Sequence, residues 1–240
     1  MKKNIICFFI ISVNIYGNNV SIYQGLNMSW IAYNDNDISE VINISPLIRY
    51  NFGVETKSKN YIFGVSINQR GYRYEISGGD INNSDWSFKP YSPFEALALP
   101  MEIYNSLFSS IINKNTNGYE VFNILSLHYL YIIKAGIDHN FFGGVQVGLP
   151  ISGKSSVRKS KLFLSDYNDY DIDVGNMNFN AGLLFGMNVY FNKIYGLRLS
   201  YFQGVTDFIK DIPKSNNYKN RTFNVSIIFA VNPQTLKNDY

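Results

Sequence analysis

Residues 175–207 read GNMNFNAGLLFGMNVYFNKIYGLRLSYFQGVTD, and this stretch decides the fold because every second residue in it is apolar. From Phe179 to Phe191 the apolar residues alternate with a set that is mostly asparagine and glycine. A short link at 192–194 leads to a second alternating run, which begins at Tyr195. A period of two is typical of a β-strand with one apolar and one polar face. The stretch therefore predicts a tight hairpin of two long strands.

The length of these strands favours a barrel in a membrane. Strands of soluble domains usually have about five or six residues, whereas a tilted strand that crosses a bilayer needs roughly 9 to 11. The same alternation recurs along the chain, at Val20–Tyr33, Ser45–Thr56, Tyr61–Tyr74, Val121–Lys134, Phe141–Ile151 and Asn220–Val231. With the hairpin, the sequence predicts an all-β fold, an eight-stranded antiparallel up-and-down transmembrane β-barrel.

The connections between these strands alternate between long and short. Transmembrane barrels have long extracellular loops and short periplasmic turns, and an even number of strands returns both chain ends to the periplasmic side. The loop at 152–174 is one of the predicted long loops, with basic residues in its first half and four aspartates in its second. We therefore expect the protein to lie in a cell outer membrane.

The two ends of the chain lie outside the predicted barrel. Lys2 and Lys3, followed by an apolar run from Ile5 to Val13, have the layout of a secretory signal peptide, which we assign to residues 1–18. An N-terminal membrane helix is the alternative, but the apolar run is well short of about 20 residues. Cys7, the only cysteine, falls within this segment, so neither disulfides nor thiol chemistry are expected in the mature chain. The barrel domain then covers 19–232 and a tail covers 233–240.

The amino-acid composition limits the classes of partner that this protein can have. Charged residues make up 16% of the chain, against about 25% in an average soluble domain, which suits a surface that faces lipid. The net charge of +3 is too small to indicate nucleic acid. We expect a monomer in contact with outer-membrane lipid, and other envelope or secretion proteins are the candidate protein partners.

One segment departs from the strand pattern. Residues 92–95, Ser-Pro-Phe-Glu, fit a capping box with proline at the first helical position. Apolar residues behind it recur at three-to-four spacing, which predicts an amphipathic helix over 91–113, inserted in the second extracellular loop. The helix either packs on the barrel rim or serves as a lid or partner-binding element.

The inward face of the predicted barrel carries the candidate site. An eight-stranded barrel has an interior that side chains fill, or that holds one small ligand, so an open pore is not expected. The candidate luminal polar cluster consists of Arg49, Arg70, His128, Gln146 and Arg198. One interpretation is a hydrogen-bonded polar plug, since buried polar groups need partners. The other is an anion site, because the three arginines share this face with few acids beyond Glu55 and Glu120.

One group of residues is a candidate for a catalytic site. Ser126 and His128 are two apart on a strand and so point the same way, and Asp138 follows in the next turn. Lipid A deacylase barrels use a histidine, a serine and an acid, but there the histidine precedes the serine and the group faces lipid. No metal motif or phosphate loop is present in the sequence, so no cofactor and no metal are predicted. We expect a protein that is not an enzyme.

Four segments resemble the small outer-membrane β-barrel family of Bacteroidota that is called PorT-like, itself similar to the OmpA barrel. They are FFGGVQVGLPISGK (141–154), FNAGLLFGMNVYF (179–191), YGLRLSYFQGVTDF (195–208) and NRTFNVSIIFAVN (220–232). The shared motif is an alternation of glycine and aromatic residues, which marks architecture. Some members of this family are linked to protein secretion and gliding. The helix at 91–113 and the tail at 233–240 depart from the family's pattern.

Three functions follow as hypotheses. The first is a non-enzymatic outer-membrane barrel with a structural or partner-binding role, which the resemblance extends to secretion or cell-surface assembly. The second is a secreted lipocalin-like barrel that binds a small hydrophobic ligand, in which the apolar face would point inward. The third is a lipid-modifying barrel enzyme that uses Ser126 and His128.

Overall fold

A computed structural model describes residues 19–32, 42–58, 60–76, 116–134, 136, 138–158, 167–192, 194–208 and 218–231. These residues form long antiparallel strands and one short 3-10 helix at Val174–Asn176. The strands are β1 Asn19–Ala32, β2 Ile42–Ser58, β3 Tyr61–Ile76, β4 Thr116–Lys134, β5 His139–Arg158, β6 Tyr167–Ile172, β7 Asn180–Tyr190, β8 Tyr195–Asp207 and β9 Lys219–Ala230.

The sheet closes on itself. Its strand order is β4-β3-β2-β1-β9-β8-β7-β5-β6, and a further pairing between β4 and β5 joins the two sides. Strand β5 pairs with β7 over 139–148 and with β6 over 153–158, so β6 and β7 occupy one position in the wall. The nine described strands therefore fill eight positions, which confirms the predicted eight-stranded antiparallel barrel.

Several strands reach further than the sequence pattern predicted. Strand β4 begins at Thr116 and not at Val121, and β2 begins at Ile42 and not at Ser45. The assignment of 152–174 to a loop was wrong in part, because 153–158 and 167–172 pair as antiparallel strands. These extensions carry polar and charged residues on their outward side. The exposed apolar side chains of the strands form a band around the outside of the wall, which we call the apolar band. The apolar alternation stops at the edge of this band, although backbone pairing continues beyond it.

The alternation sorts side chains between the two surfaces of the wall as predicted. Large apolar residues are exposed on the outside of the described strands, at Met28, Tyr50, Phe63, Tyr129, Val147, Phe185 and Ile227 among others. Buried asparagine, serine, glutamate and arginine side chains fill the inside. A smaller group of buried apolar side chains packs beside them, with Leu130, Phe142 and Phe202 among its members.

One irregularity bends the wall at β2. The register between β2 and β3 shifts between Pro46 and Asn51, so one extra residue of β2 bulges out of the ladder. The Ser29 hydroxyl, on β1, takes the place of the missing backbone partner: it donates to the Gly71 carbonyl oxygen at 2.8 Å and accepts from the Gly71 N–H at 2.7 Å. Backbone polar groups that lose a ladder partner need such a replacement when they are buried.

Three sequence predictions lie outside the described residues, namely the signal peptide at 1–18, the helix at 91–113 and the tail at 233–240. Within the described ranges, no helix is both long and apolar enough to cross a membrane.

Candidate functional site

The centre of the lumen holds an ion pair between strands that are far apart in sequence. Arg198 on β8 donates from Nη1 to Oε2 of Glu55 and from Nη2 to Oε1, both at 2.7 Å, and Glu55 comes from β2. Both side chains are almost fully buried, at about 5% exposure each. A two-point contact between guanidinium and carboxylate is directional as well as strong, so it fixes β2 and β8 across the lumen.

A second layer of polar contacts holds the arginine in place. The Arg198 Nε donates to Oδ1 of Asn188 at 2.9 Å, and the Asn188 amide donates in turn to Oδ1 of Asn140 at 3.1 Å. The rings of Tyr23 and Phe142 lie 5.0 and 5.1 Å from the guanidinium carbon, within cation–π range. The fork of Arg198 is therefore occupied on every side by this chain's own residues.

His128 lies against the same carboxylate. Its Nε2 is 3.5 Å from Oε2 of Glu55, and its ring centroid is 6.1 Å from that of Tyr23. Neither ring nitrogen makes a hydrogen bond with a described residue. The ring occupies the space over Gly64, where a Cβ would overlap the imidazole. The glycine on the neighbouring strand thus makes room for the histidine.

Arg70 lies in the lumen without an anionic partner among the described residues. Only 2% of its surface is exposed, and its guanidinium stacks over the Phe202 ring at 4.2 Å. Its Nε has no hydrogen-bond partner, and none of the described side chains forms an ion pair with it. The cation–π contact with Phe202 is its main described interaction.

The remaining luminal polar groups form small hydrogen-bonded sets. The Asn68 amide donates to the hydroxyls of Ser66 and Ser126 at 2.8 and 3.1 Å. The Asn51 amide donates to Oδ1 of Asn224 at 3.0 Å. Gln146 is buried on β5, where its ladder partner is His128 of β4. These sets are what a polar plug requires.

A further polar pair lies towards the end of the barrel that carries the long connections. The Tyr72 hydroxyl donates to Oε2 of Glu120, and both residues are buried beyond the apolar band. Burial, reinforced by the Glu120 carboxylate, raises the pKa of Tyr72 and of its neighbour Tyr74. Both tyrosines therefore stay protonated and able to donate.

Four of the five residues predicted for the luminal cluster are buried in the lumen, namely Arg70, His128, Gln146 and Arg198. Arg49 does not join them. It is half-exposed, its guanidinium carbon lies 5.3 Å from the Tyr119 ring centroid, and it lines a cavity with Arg73 and Glu75. The bulge takes this segment of β2 out of the ladder with β3, and a sequence pattern of period two cannot show a bulge.

Ser126, His128 and Asp138 do not form a catalytic arrangement. The Ser126 hydroxyl accepts from Asn68, and no hydrogen bond with a described residue reaches either nitrogen of His128. Ser126 and His128 are buried in the filled lumen, whereas Asp138 is exposed in a turn. A nucleophile and base pair needs hydrogen-bond contact and access for a substrate. In the described part of the chain, no group of three potential ligands gathers to hold a metal ion.

Sequence reasoning missed the role of Asn140 and the direct pairing of Glu55 with Arg198. The strand predicted from the sequence begins at Phe141 and so leaves Asn140 out, but the parity of Asn140 with Phe142 and Gln146 on β5 places it inside. The pairing of Glu55 with Arg198 has no local signal, since it joins residues 143 positions apart.

The outside of the barrel has the chemistry of a lipid-facing surface. Exposed apolar residues follow one another at every second position along several wall strands, as at Leu127, Tyr129, Tyr131 and Ile133 on β4. Soluble proteins rarely expose contiguous apolar surfaces of this extent, and closed barrels satisfy all backbone groups inside a bilayer. The predicted location, a cell outer membrane, agrees with this surface, since transmembrane barrels are built this way.

No family model matches the chain, and no curated protein matches it. Among solved structures, the chain is similar to Ail, the attachment invasion locus protein of Yersinia pestis, with 10% identity over 89% of this chain and 99% of that one and a TM-score of 0.44. It is similar to Neisserial surface protein A, with 7% identity, 88% and 96% coverage and a TM-score of 0.43.

It is also similar to the outer membrane protease OmpT from Escherichia coli, with 8% identity, 90% and 97% coverage and a TM-score of 0.39. All three scores lie below 0.5 and all three identities below 25%, so these proteins do not assign this chain a function. The resemblance to the PorT-like family stays a prediction.

Proposed function

We propose that this protein is a non-enzymatic β-barrel of the outer membrane with a structural or partner-binding role. The observation that supports this proposal is the combination of an apolar exterior with a lumen filled by buried polar side chains. The exterior suits lipid. In the lumen, Arg198 is paired with Glu55 and Arg70 is stacked on the Phe202 ring. A wall of eight positions encloses only enough space for such a filling.

The arrangement of faces argues against the lipocalin-like alternative. A barrel that binds a hydrophobic ligand in its interior needs apolar side chains facing inward. Here Phe185, Val147 and Ile227 face outward, and Asn51, Asn188 and Ser226 face inward. The lipid-modifying enzyme is likewise not favoured, because Ser126 and His128 are enclosed and do not contact each other through a hydrogen bond.

The partner-binding part of the proposal rests on the end of the barrel with the long connections. Strands β2 to β6 extend the wall there beyond the apolar band, and their outward side is polar and charged. Residues 77–115 connect β3 to β4 at this end, and the helix predicted at 91–113 belongs to that connection. We propose that this end meets other envelope or secretion proteins, as the PorT-like resemblance implies, and that the protein acts as a monomer in outer-membrane lipid.

Cell fractionation of the full-length protein, followed by a gel of boiled and unboiled membrane fractions, tests the proposal. We expect the protein in the outer-membrane fraction, with the unboiled form migrating faster because the closed barrel stays folded in detergent. Recovery in the soluble periplasmic fraction, with no shift on boiling, would contradict it. Crosslinking from the polar end of the barrel in intact cells then tests for a protein partner.

A further inference from the structure

A cavity of about 460 Å³ opens between β2, β3 and β4 at the end of the barrel with the long connections. Its lining includes Asn43, Ser45, Arg49, Arg73, Glu75 and Asn117. Five of these six side chains are exposed on the outer side of the wall, and the buried Leu47 and Tyr74 also line the cavity. Arg49 lies in the bulge that interrupts the ladder between β2 and β3.

The cavity begins where the apolar band ends. Arg49 directly follows Ile48, which is 59% exposed on the outside of β2. On β3, Ile67 is the last large exposed apolar residue, and Arg73 and Glu75 lie beyond it. A polar cavity that borders the apolar band lies at the depth of lipid headgroups when the band lies in the hydrocarbon core.

The cavity carries two guanidinium groups with donors to spare. Arg49 stacks over Tyr119 and uses one N–H on the Ile48 carbonyl oxygen at 3.2 Å. The Arg73 side chain makes no hydrogen bond or ion pair with any described residue; the backbone of Arg73 is part of the sheet. Among the described lining residues there are two arginines and one acid, Glu75, so their formal charges sum to a net positive charge. Guanidinium groups bind phosphate oxygens in a two-point geometry.

The other lining groups suit a sugar. The amides of Asn43 and Asn117, the Ser45 hydroxyl and the Glu75 carboxylate offer donors and acceptors of the kind that hydroxyl groups need. We propose that this cavity binds the phosphorylated sugar headgroup of a glycolipid in the surrounding leaflet. The arginines hold the phosphate, and the amides and the carboxylate hold sugar hydroxyls. The ligand is lipid-anchored because the cavity is continuous with the surface that faces the acyl chains.

Native mass spectrometry of the full-length barrel in detergent tests this proposal. The probe is lipid A, a diglucosamine lipid with two phosphates, and the comparison is the same lipid after enzymatic dephosphorylation. The double variant Arg49→Gln/Arg73→Gln is compared with Arg221→Gln, which removes an outward arginine on β9, on another part of the wall. We expect the double variant to lose at least tenfold in bound lipid A, and Arg221→Gln to bind as the parent does.

Equal binding of lipid A by the parent and the double variant would overturn the proposal, and so would equal binding of the dephosphorylated lipid. Competition by soluble glucosamine phosphate at the same concentration as lipid A would instead show a site for a free phosphosugar, and the lipid assignment would be wrong. The boiled and unboiled gel confirms that each variant is folded. Should the double variant fail that check, Arg73→Gln alone decides the question, since this exposed side chain has no described contact to lose.

Discussion

The Arg198 guanidinium and the Glu55 carboxylate meet in the lumen through two contacts of 2.7 Å, although 143 residues separate them in the chain. The pair joins β8 to β2, which are not neighbours in the wall. It therefore links parts of the barrel that backbone hydrogen bonds do not link directly. We therefore expect removal of this ion pair to lower the free energy of unfolding of the barrel.

Replacing Glu55 with glutamine should destabilise the barrel by roughly 3–5 kcal/mol, because it leaves the Arg198 charge buried and uncompensated. The measurement is urea unfolding of the protein refolded into lipid vesicles. Glu75→Gln is the matched control, since that carboxylate is exposed and its loss should change the free energy of unfolding by at most about 0.5 kcal/mol. Similar values for the two variants would mean that the ion pair does not stabilise the fold.

The two luminal arginines should respond in opposite ways to replacement by methionine. Arg198→Met leaves Glu55 without its partner and should cost roughly 3–5 kcal/mol. Arg70→Met removes a buried charge for which the described residues supply no carboxylate, so we expect a change below about 1 kcal/mol or a small gain. Thermal unfolding in the same detergent compares them. A large loss in Arg70→Met would show that Arg70 has an anionic partner.

Two adjacent glycines on β5 provide a test of close packing in the wall. A Cβ at Gly144 would overlap the carbonyl oxygen of Tyr129, which is backbone and cannot move aside, whereas a Cβ at Gly143 would have nothing within 4 Å. Gly144→Ala should therefore lower stability by roughly 1–3 kcal/mol, and Gly143→Ala should be neutral. The fraction of folded, fast-migrating protein after refolding measures both. Equal yields would contradict the strand register at this position.

A charge placed on the apolar band should be costly only if that band faces lipid. Val147 lies in the middle of the exposed apolar run of β5, and Val147→Arg should cost roughly 2–4 kcal/mol in vesicles. Ser58, exposed at the turn end of β2, is the control position, where arginine should cost at most about 1 kcal/mol. If both variants unfold like the parent protein, the band lies in water and the membrane assignment is wrong.

Much of the barrel could be predicted from alternation alone, because the side to which a strand residue points is a local property with a period of two. Without knowledge of any contact, the alternation puts Tyr129 and Phe185 on the apolar face and Arg198 and Asn188 on the opposite face. The predicted strand ends were less accurate. Thr116 to Glu120 and the residues from Ser152 to Arg158 pair beyond the apolar band, where both faces are polar and alternation gives no signal.

The sequence by itself determined the strands, their two faces and the number of wall positions. The tertiary structure alone decided which polar residues meet. Glu55 pairs with Arg198, and Arg70 stacks on Phe202. Arg49 lines an outer cavity, because β2 bulges away from β3 at this point and the Ser29 hydroxyl bonds to Gly71 in place of the β2 backbone. These contacts depend on how the strands are staggered when the sheet closes, and closure is a property of all the strands together.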